Sequence, residues 1–364
     1  MEIISLKIKN FRNFSDLALD FKPEGALIHG INGIGKTNLL EAISFFAFGK
    51  SFQTSYDLEL IHFSKAFFRI EGKFLYNGKE HFLEAAADKS KKLIKIDGAG
   101  ISRISELYQH VKVVYFSPDD INIVGGAPSF RRKFIDQAIS QYSYRYIEIL
   151  RKFYRILKQR NALLKTEFDR KEKKTWDEQF VSSASQVINF RLKYLKEFTP
   201  ILMKYYYHIS EKNEELGICY KYSFPTSGKI EDDLLDHLNE IEEQEVIQER
   251  SLAGPHIDDL DFTINKHSAR KFGSQGQKRS LAITARLVQA NLIAQVGDDV
   301  PILIFDDVLS DLDKKRAKKI ISLLENKHQV FIATPNVAIY KDFKLEKINM
   351  EKIMKGSQAD DEVQ

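Results

Sequence analysis

Between the apolar run Ala26–Ile28 and the helical segment Lys36–Phe48 stands G-I-N-G-I-G-K-T, residues 30–37. A strand that ends in a glycine-rich turn and passes directly into a helix brings successive backbone N–H groups and the positive end of the helix to one point, where they face phosphate oxygens. The spacing G-x-x-x-x-G-K-T adds a lysine that reaches the β- and γ-phosphates of a nucleotide and a hydroxyl that holds Mg²⁺. The candidate nucleotide-binding residues are therefore Gly30, Ile31, Asn32, Gly33, Ile34, Gly35, Lys36, Thr37 and Asn38, with Thr37 on the metal and Lys36 serving binding and catalysis alike.

Such a loop needs an acidic partner, and P-I-L-I-F-D-D at residues 301–307 supplies one. An apolar parallel strand ending in carboxylates puts Asp306 beside the phosphates, where it holds Mg²⁺ directly or through water. Asp307 then faces the γ-phosphate and is the candidate general base for an attacking water.

The rest of the chain divides by composition. Strand-like alternation runs over Ile3–Ile8 and Leu17–Phe21, and short β-type runs between Phe67 and Ile96 form a meander, with Asn77-Gly78 as a two-residue turn. Val111–Phe116 reads as a buried strand, followed by a helix start at Ser117-Pro118-Asp119-Asp120. From Pro128 to Glu215 the pattern becomes long, charged helices, with Trp176, Phe180, Val187, Phe190, Tyr194 and Leu195 at helical spacing as the seam of an antiparallel pair. The acidic stretch Glu231–Glu245 reads as one or two solvated helices, and the last residues as a polar tail. The expected organisation is an ATPase lobe in two parts, 1–127 and 249–354, a helical lobe at 128–248, and a disordered tail at 355–364.

Composition bounds the setting. The 43% hydrophobic content suffices for a packed core, and the net charge of +4 allows a polyanionic partner without requiring one. One cysteine, Cys219, excludes an internal disulfide and fits a reducing, cytoplasmic setting. No apolar run is long enough to span a bilayer, so no membrane association is expected. Candidate phosphate contacts for DNA are Arg131, Arg132 and Lys133, then Arg151, Lys152 and Arg155 with Lys158 and Arg160; Lys89, Lys91, Lys92 and Lys95 form a further basic group on a hairpin. No base-reading motif appears, so backbone and shape would lead any binding.

A second loop, K-F-G-S-Q-G-Q-K-R-S at residues 271–280, again presents a serine and a glycine ahead of a helical run. One nucleotide does not need two cradles in one subunit. Ser274 and Gly276, with Gln277, are accordingly assigned to the γ-phosphate of ATP bound by a second copy, so that nucleotide joins a dimer. The series S-x-G-Q, then four apolar residues and D-D, then S-D-L-D at 310–313, resembles the signature, Walker B and D-loop of ABC-type ATPases. I-I-S-L-K-I-K-N-F-R-N-F, G-K-T-N-L-L-E-A-I and D-D-V-L-S-D-L-D resemble the SMC/Rad50/RecF branch of that superfamily. F-S-P-D-D, G-A-P-S-F-R-R-K-F-I-D, A-G-P-H-I-D-D-L and S-Q-G-Q-K-R-S-L-A resemble the RecF family in particular.

That resemblance covers nearly the whole chain and implies an α/β fold: an ABC-type ATPase head with a P-loop sheet and β-meander, plus an inserted helical lobe with a short antiparallel arm. It implies ATP and Mg²⁺ as cofactors, adds Arg12 to the nucleotide-binding residues, and implies a weak, DNA-stimulated ATPase within an ATP-dependent homodimer. The implied partners are double-stranded DNA, gapped junctions, RecR and RecO, with RecA served indirectly on SSB-coated strands. Three departures stand out: Ile257 occupies a position in the G-P-H motif where the family carries a basic residue, no glutamine follows the Val111 strand, and F-I-A-T-P at 331–335 lacks a histidine. Two other uses of the same motor remain open, a transporter-coupled ATPase subunit and an SMC/Rad50-like tether. The short arm disfavours the tether, and the chain leaves no room for an added nuclease domain.

Overall fold

The computed structural model describes residues 1–361 apart from 53, 55, 211–213, 298–299, 310–311, 313, 325–327 and 341–343. The chain forms two compact units, Met1–Asp119 with Gln289–Gln364, and Asp120–Val288.

The first unit begins β1 (Glu2–Phe11), β2 (Phe14–Asp20), β3 (Gly25–His29), α1 (Lys36–Phe48), β4 (Phe67–Tyr76), β5 (Lys79–Asp88), β6 (Lys92–Ile96), β7 (Ala99–Gly100), α2 (Leu107–His110) and β8 (Val113–Phe116). It resumes after the second unit with β12 (Ile302–Asp306), α11 (Lys314–Ser322), β13 (Val330–Thr334), β14 (Glu346–Asn349) and α12 (Met350–Asp361). Two sheets result: an antiparallel one in the order β2-β1-β4-β5-β6-β7 and a parallel one in the order β14-β3-β13-β12-β8.

Sequence pattern separates the two. In β4 the residues alternate, with Phe68, Ile70, Phe74 and Tyr76 buried and Arg69 and Lys73 outward, as befits a sheet with one solvated face. β8, β12 and β13 are buried along their whole length and read as continuous apolar runs, as parallel strands covered on both faces do. Asn77 and Gly78 both take positive φ, 50° and 69°, and close the β4–β5 hairpin in register. Helix α1 is buried on almost every side: Phe45 and Phe46 meet Phe68 and Phe74 edge to face, while Ile304 and Phe331 of the parallel sheet join the same core. Gly72 makes room for this packing, because a Cβ there would lie 3.0 Å from the Phe46 ring.

Gln329 ties the core together as an extra strand partner. Its buried amide accepts from Ile3 N–H at 2.7 Å and donates to the carbonyls of Ile3 and Lys22, both at 2.9 Å. At the C-terminus, Asn349 caps α12 by accepting from the N–H of Glu351, and Met350, Ile353 and Met354 pack on the core. The expected disordered tail from 355 is therefore corrected in part: the helix continues through Asp361 because its first turns are capped and anchored.

The second unit contains α3 (Ile121–Gly125), α4 (Pro128–Tyr142), α5 (Tyr144–Leu163), α6 (Arg170–Ser210), β9 (Leu216–Lys221), α7 (Ile230–Glu240), α8 (Glu242–Gln248), β10 (Asp259–Ile264), β11 (His267–Ser268), α9 (Ala269–Phe272) and the start of α10 (Gln275–Val296). Helices α5 and α6 form an antiparallel arm: Tyr146 meets Phe190, Phe153 meets Phe180, and Arg160 meets Asp177, partners rising along one helix as they fall along the other. Residues 249–288 belong here and not with the first unit, as the sequence reading has it, because β10 pairs antiparallel with β9 and Arg131 and Arg191 bind the 255–259 segment.

Three buried arginines organise this unit. Arg160, fully buried, binds Asp177 at 2.7 Å, Glu245 at 2.6 Å and the Ser251 hydroxyl at 2.7 Å. Arg191 grips both oxygens of Asp136 at 3.0 Å and the carbonyl of Pro255 at 2.7 Å. Arg131 forks onto Asp259 at 2.6 and 2.9 Å. Planar guanidinium groups with each nitrogen engaged suit such sites. The acidic helices are thus not merely solvated, since Glu245 of α8 faces inward to Arg160 and Leu234 and Leu238 of α7 are buried.

Candidate functional site

Strand β3 delivers the chain into the loop 30–35, where Gly30, Gly33 and Gly35 take φ of 153°, 81° and 110°. Gly35 has a second reason to lack a side chain. A Cβ there would lie 2.4 Å from the Asn13 amide, which instead donates to the Ile34 carbonyl at 3.1 Å and accepts from Asn38 at 2.8 Å. Lys36 bends back over the loop and donates to the carbonyls of Gly30 and Ile31, both at 2.9 Å. Burial pushes its pKa down from the ordinary lysine value, and the carboxylates of Asp307 and Asp306 partly offset this. Ile31 N–H, at the outer lip, donates to Glu351 of α12 at 3.2 Å.

Strand β12 brings the acidic residues to the same place. Thr37 donates to Asp306 Oδ1 at 2.9 Å, joining the loop to the strand end across 269 residues of chain. Tyr115 of β8 donates to the other oxygen, Oδ2, at 2.8 Å. Burial raises the pKa of Asp306 above the ordinary carboxylate value, while the Tyr115 and Thr37 hydroxyls act against it. Asp307 follows in a left-handed conformation, φ 56°, its N–H held by the Ala333 carbonyl at 3.1 Å. That is an uncommon backbone for a non-glycine residue and turns the chain sharply at the strand end. Ser310, Asp311 and Asp313 of the S-D-L-D segment lie outside the described residues.

Arg12 stands close to its expected region, yet its guanidinium is committed elsewhere. It binds the buried Glu41 through Nε at 2.8 Å and Nη2 at 3.3 Å, and the Glu59 carbonyl at 3.2 Å. The Ser51 hydroxyl shares the same carboxylate. Among the described residues the Arg12 guanidinium lies on Glu41 of α1, a fully buried carboxylate that calls for a charged partner.

In the second loop Ser274 accepts from Gln277 N–H at 3.2 Å while the Gln277 side chain accepts from Ser274 N–H at 2.8 Å. This is a capping box at the start of α10. It uses a lone pair of the Ser274 hydroxyl and leaves the O–H proton for an acceptor. Gly276 sits in the first turn, and Gln277 also donates to Glu214 at 3.0 Å.

The basic residues sort by helix phase. Arg131 is buried on Asp259, which corrects its assignment as a DNA contact; Arg132 donates to the carbonyls of Ile257 and Asp258 at 3.2 and 3.0 Å. Arg160 is likewise a core residue. Lys133 is exposed on α4. Arg151, Lys152, Arg155 and Lys158 are exposed on α5 and have no ion-pair partner among the described residues. On the hairpin, Lys92 pairs with Asp57 at 2.9 Å and Lys95 with Glu84 at 4.0 Å. The Ile257 side chain is exposed, and Thr334, at the strand end without histidine, is buried and bonded to Asn336.

Sequence reading missed Tyr115, Asn13 and Glu41. A tyrosine in an otherwise apolar buried strand is the one usable signal among them, since a buried hydroxyl needs a partner.

A family model described as RecF/RecN/SMC N terminal domain matches residues 2–356. Proteins named DNA replication and repair protein RecF from Heliobacterium modesticaldum and Staphylococcus carnosus are 33% and 34% identical, covering 98% of this chain and 98% and 100% of their own. A solved structure of the recombination mediator protein RecF with ATP, in the RecFOR pathway, has a TM-score of 0.85 at 30% identity over 92% of each chain. The Smc head domain of Pyrococcus furiosus, with an extended coiled coil and bound to the C-terminal domain of ScpA, shares the fold at a TM-score of 0.54 and 15% identity over 98% of each chain. No helix among the described residues is long and apolar enough to cross a membrane. A loop–strand pairing of this kind, an ABC-type head with an inserted helical arm, and matches along almost its full length place this chain in the RecF family of DNA replication and repair proteins.

Proposed function

We propose that this chain binds ATP with Mg²⁺ at residues 30–38, pairs with a second copy in the ATP state, and in that state holds double-stranded DNA beside a single-strand gap. With RecR and RecO, it thereby assists placement of RecA on SSB-coated strands. The carrying observation is the Thr37–Asp306 hydrogen bond, which puts a hydroxyl and a carboxylate, hard oxygen donors of the kind Mg²⁺ takes, 2.9 Å apart at the foot of the glycine loop. Thr37 and Asp306 would hold the ion, which on binding neutralises phosphate charge. Lys36 supplies the second positive charge, and Asp307 orients a water as general base. The RecF structure with ATP supports the nucleotide.

Dimerisation rests on Ser274. Its O–H, which has no acceptor among the described residues, and the N-terminal amides of α10 are the donors from which a γ-phosphate on a second copy would accept hydrogen bonds. Ser274→Arg is expected to leave ATP binding by the monomer within about threefold of the parent, yet to remove the ATP-dependent dimer in sedimentation. A variant that dimerises and hydrolyses ATP normally would sink the composite-site reading.

For DNA, the free basic face of α5 carries the proposal. Arg151 to Lys158 span about 10 Å of helix, a stretch that meets successive phosphates on one strand. Arg151→Glu combined with Arg155→Glu is expected to weaken duplex binding at least tenfold at moderate salt, and to lower the slope of log K against log salt by about 2. An unchanged slope in fluorescence anisotropy would move the DNA interface elsewhere.

A further inference from the structure

The carboxylate of Asp306 is held from two sides: Thr37 of α1 donates to Oδ1 at 2.9 Å and Tyr115 of β8 donates to Oδ2 at 2.8 Å. Tyr115 reaches it from the neighbouring strand, where its register partner is Ile304, two residues before Asp306. Its ring is buried and lies against Phe52, with centroids 4.1 Å apart. The hydroxyl therefore has little freedom to leave the carboxylate.

We propose that Tyr115 is a positioning residue for Mg²⁺, fixing the outer oxygen of Asp306 so that the inner oxygen faces the Thr37 hydroxyl at the metal position. The inference rests on the ATP–Mg²⁺ reading above. A hydroxyl that serves a cation turns its lone pair toward it, so Thr37 ceases to donate to Oδ1 when the ion is present. Among the described residues Tyr115 is then the remaining side-chain hydroxyl on the carboxylate. It restricts rotation of the group by holding one carboxylate oxygen from the neighbouring strand. Outer partners of this kind change metal affinity about 10–100-fold when removed.

The test is Tyr115→Phe, which deletes the hydroxyl and keeps the ring on Phe52. Binding of a fluorescent ATP analogue is measured in EDTA and across a Mg²⁺ titration, and repeated with Mn²⁺ so that the bound ion is counted by its electron paramagnetic resonance signal. The expected result is unchanged affinity in EDTA with a half-saturating Mg²⁺ or Mn²⁺ concentration raised about 10–100-fold. An unshifted half-saturation, or an equal loss of affinity in EDTA, overturns the proposal, the latter because it marks a general packing role. Parent protein and Thr37→Ala are run alongside. If the parent binds the analogue without any dependence on the divalent ion, the metal reading fails and takes the proposal with it; a parent dependence that Tyr115→Phe leaves intact rejects Tyr115 alone.

Discussion

Lys36→Ala is expected to weaken ATP binding about a thousandfold, roughly 4 kcal/mol, while leaving the melting temperature within a few degrees of the parent. The asymmetry follows from where the ammonium sits. It is buried, it faces Asp306 and Asp307 across the loop, and its two protein hydrogen bonds go to the carbonyls of Gly30 and Ile31 at the loop itself. Removing it takes the positive charge from a site that must accept triphosphate and leaves two carboxylates facing the ligand uncompensated. The core below, Leu39 to Phe46, loses nothing, so folding is spared. Calorimetric titration with ATP checks the first part and a thermal scan the second. A dissociation constant within threefold of the parent would mean that the nucleotide is held elsewhere.

The largest stability effect is expected at a residue remote from the loop. Glu245→Ala leaves the Arg160 guanidinium, itself fully buried, with one of its two carboxylate partners missing. Breaking one side of such a pair costs about 3–5 kcal/mol, because the remaining charge keeps its desolvation cost. Glu245 also accepts from the backbone of Leu252 at 2.9 Å, so the 251–256 segment loosens with it. Urea unfolding should show an early transition for the second unit, with the first unit unchanged. Pairing the change with Arg160→Met is expected to recover a large part of the loss, since the orphaned charge is then gone. A single-variant effect below about 1 kcal/mol would show that solvent reaches Arg160.

What could be read from the sequence was local. The glycine loop, the helix after it and the Asn77-Gly78 turn are each written within a dozen residues, and the chain adopts them where expected. The arginines were not legible as clusters, since a run such as Arg151 to Arg160 mixes two helix faces. Phase was the available signal: Arg160 follows the buried Phe153, Ile156 and Leu157 at helical spacing, and Arg131 precedes Phe134, Ile135 and Ala138 in the same way. An arginine inside an apolar stripe is a paired core residue. Its partner cannot be read off, because Asp259 stands 128 residues from Arg131 and Glu245 stands 85 from Arg160. Arg12 shows the same limit, as nothing local marks Glu41 as its counter-ion.

The parallel sheet carries a consequence for how the molecule is made. Among the described residues, β3 hydrogen-bonds to β13 and β14, so Ala26 lies beside Phe331 and Glu346, while the second unit is one unbroken segment of chain. On a ribosome, the helical unit has all its sequence in hand before β13 and β14, the strands that flank β3, emerge. Loop closure over such a separation is slow, and the interrupted unit must wait for it. The sheet beneath the nucleotide cradle therefore cannot close around β3 until β13 and β14 have been made, although the cradle itself is encoded about 300 residues earlier.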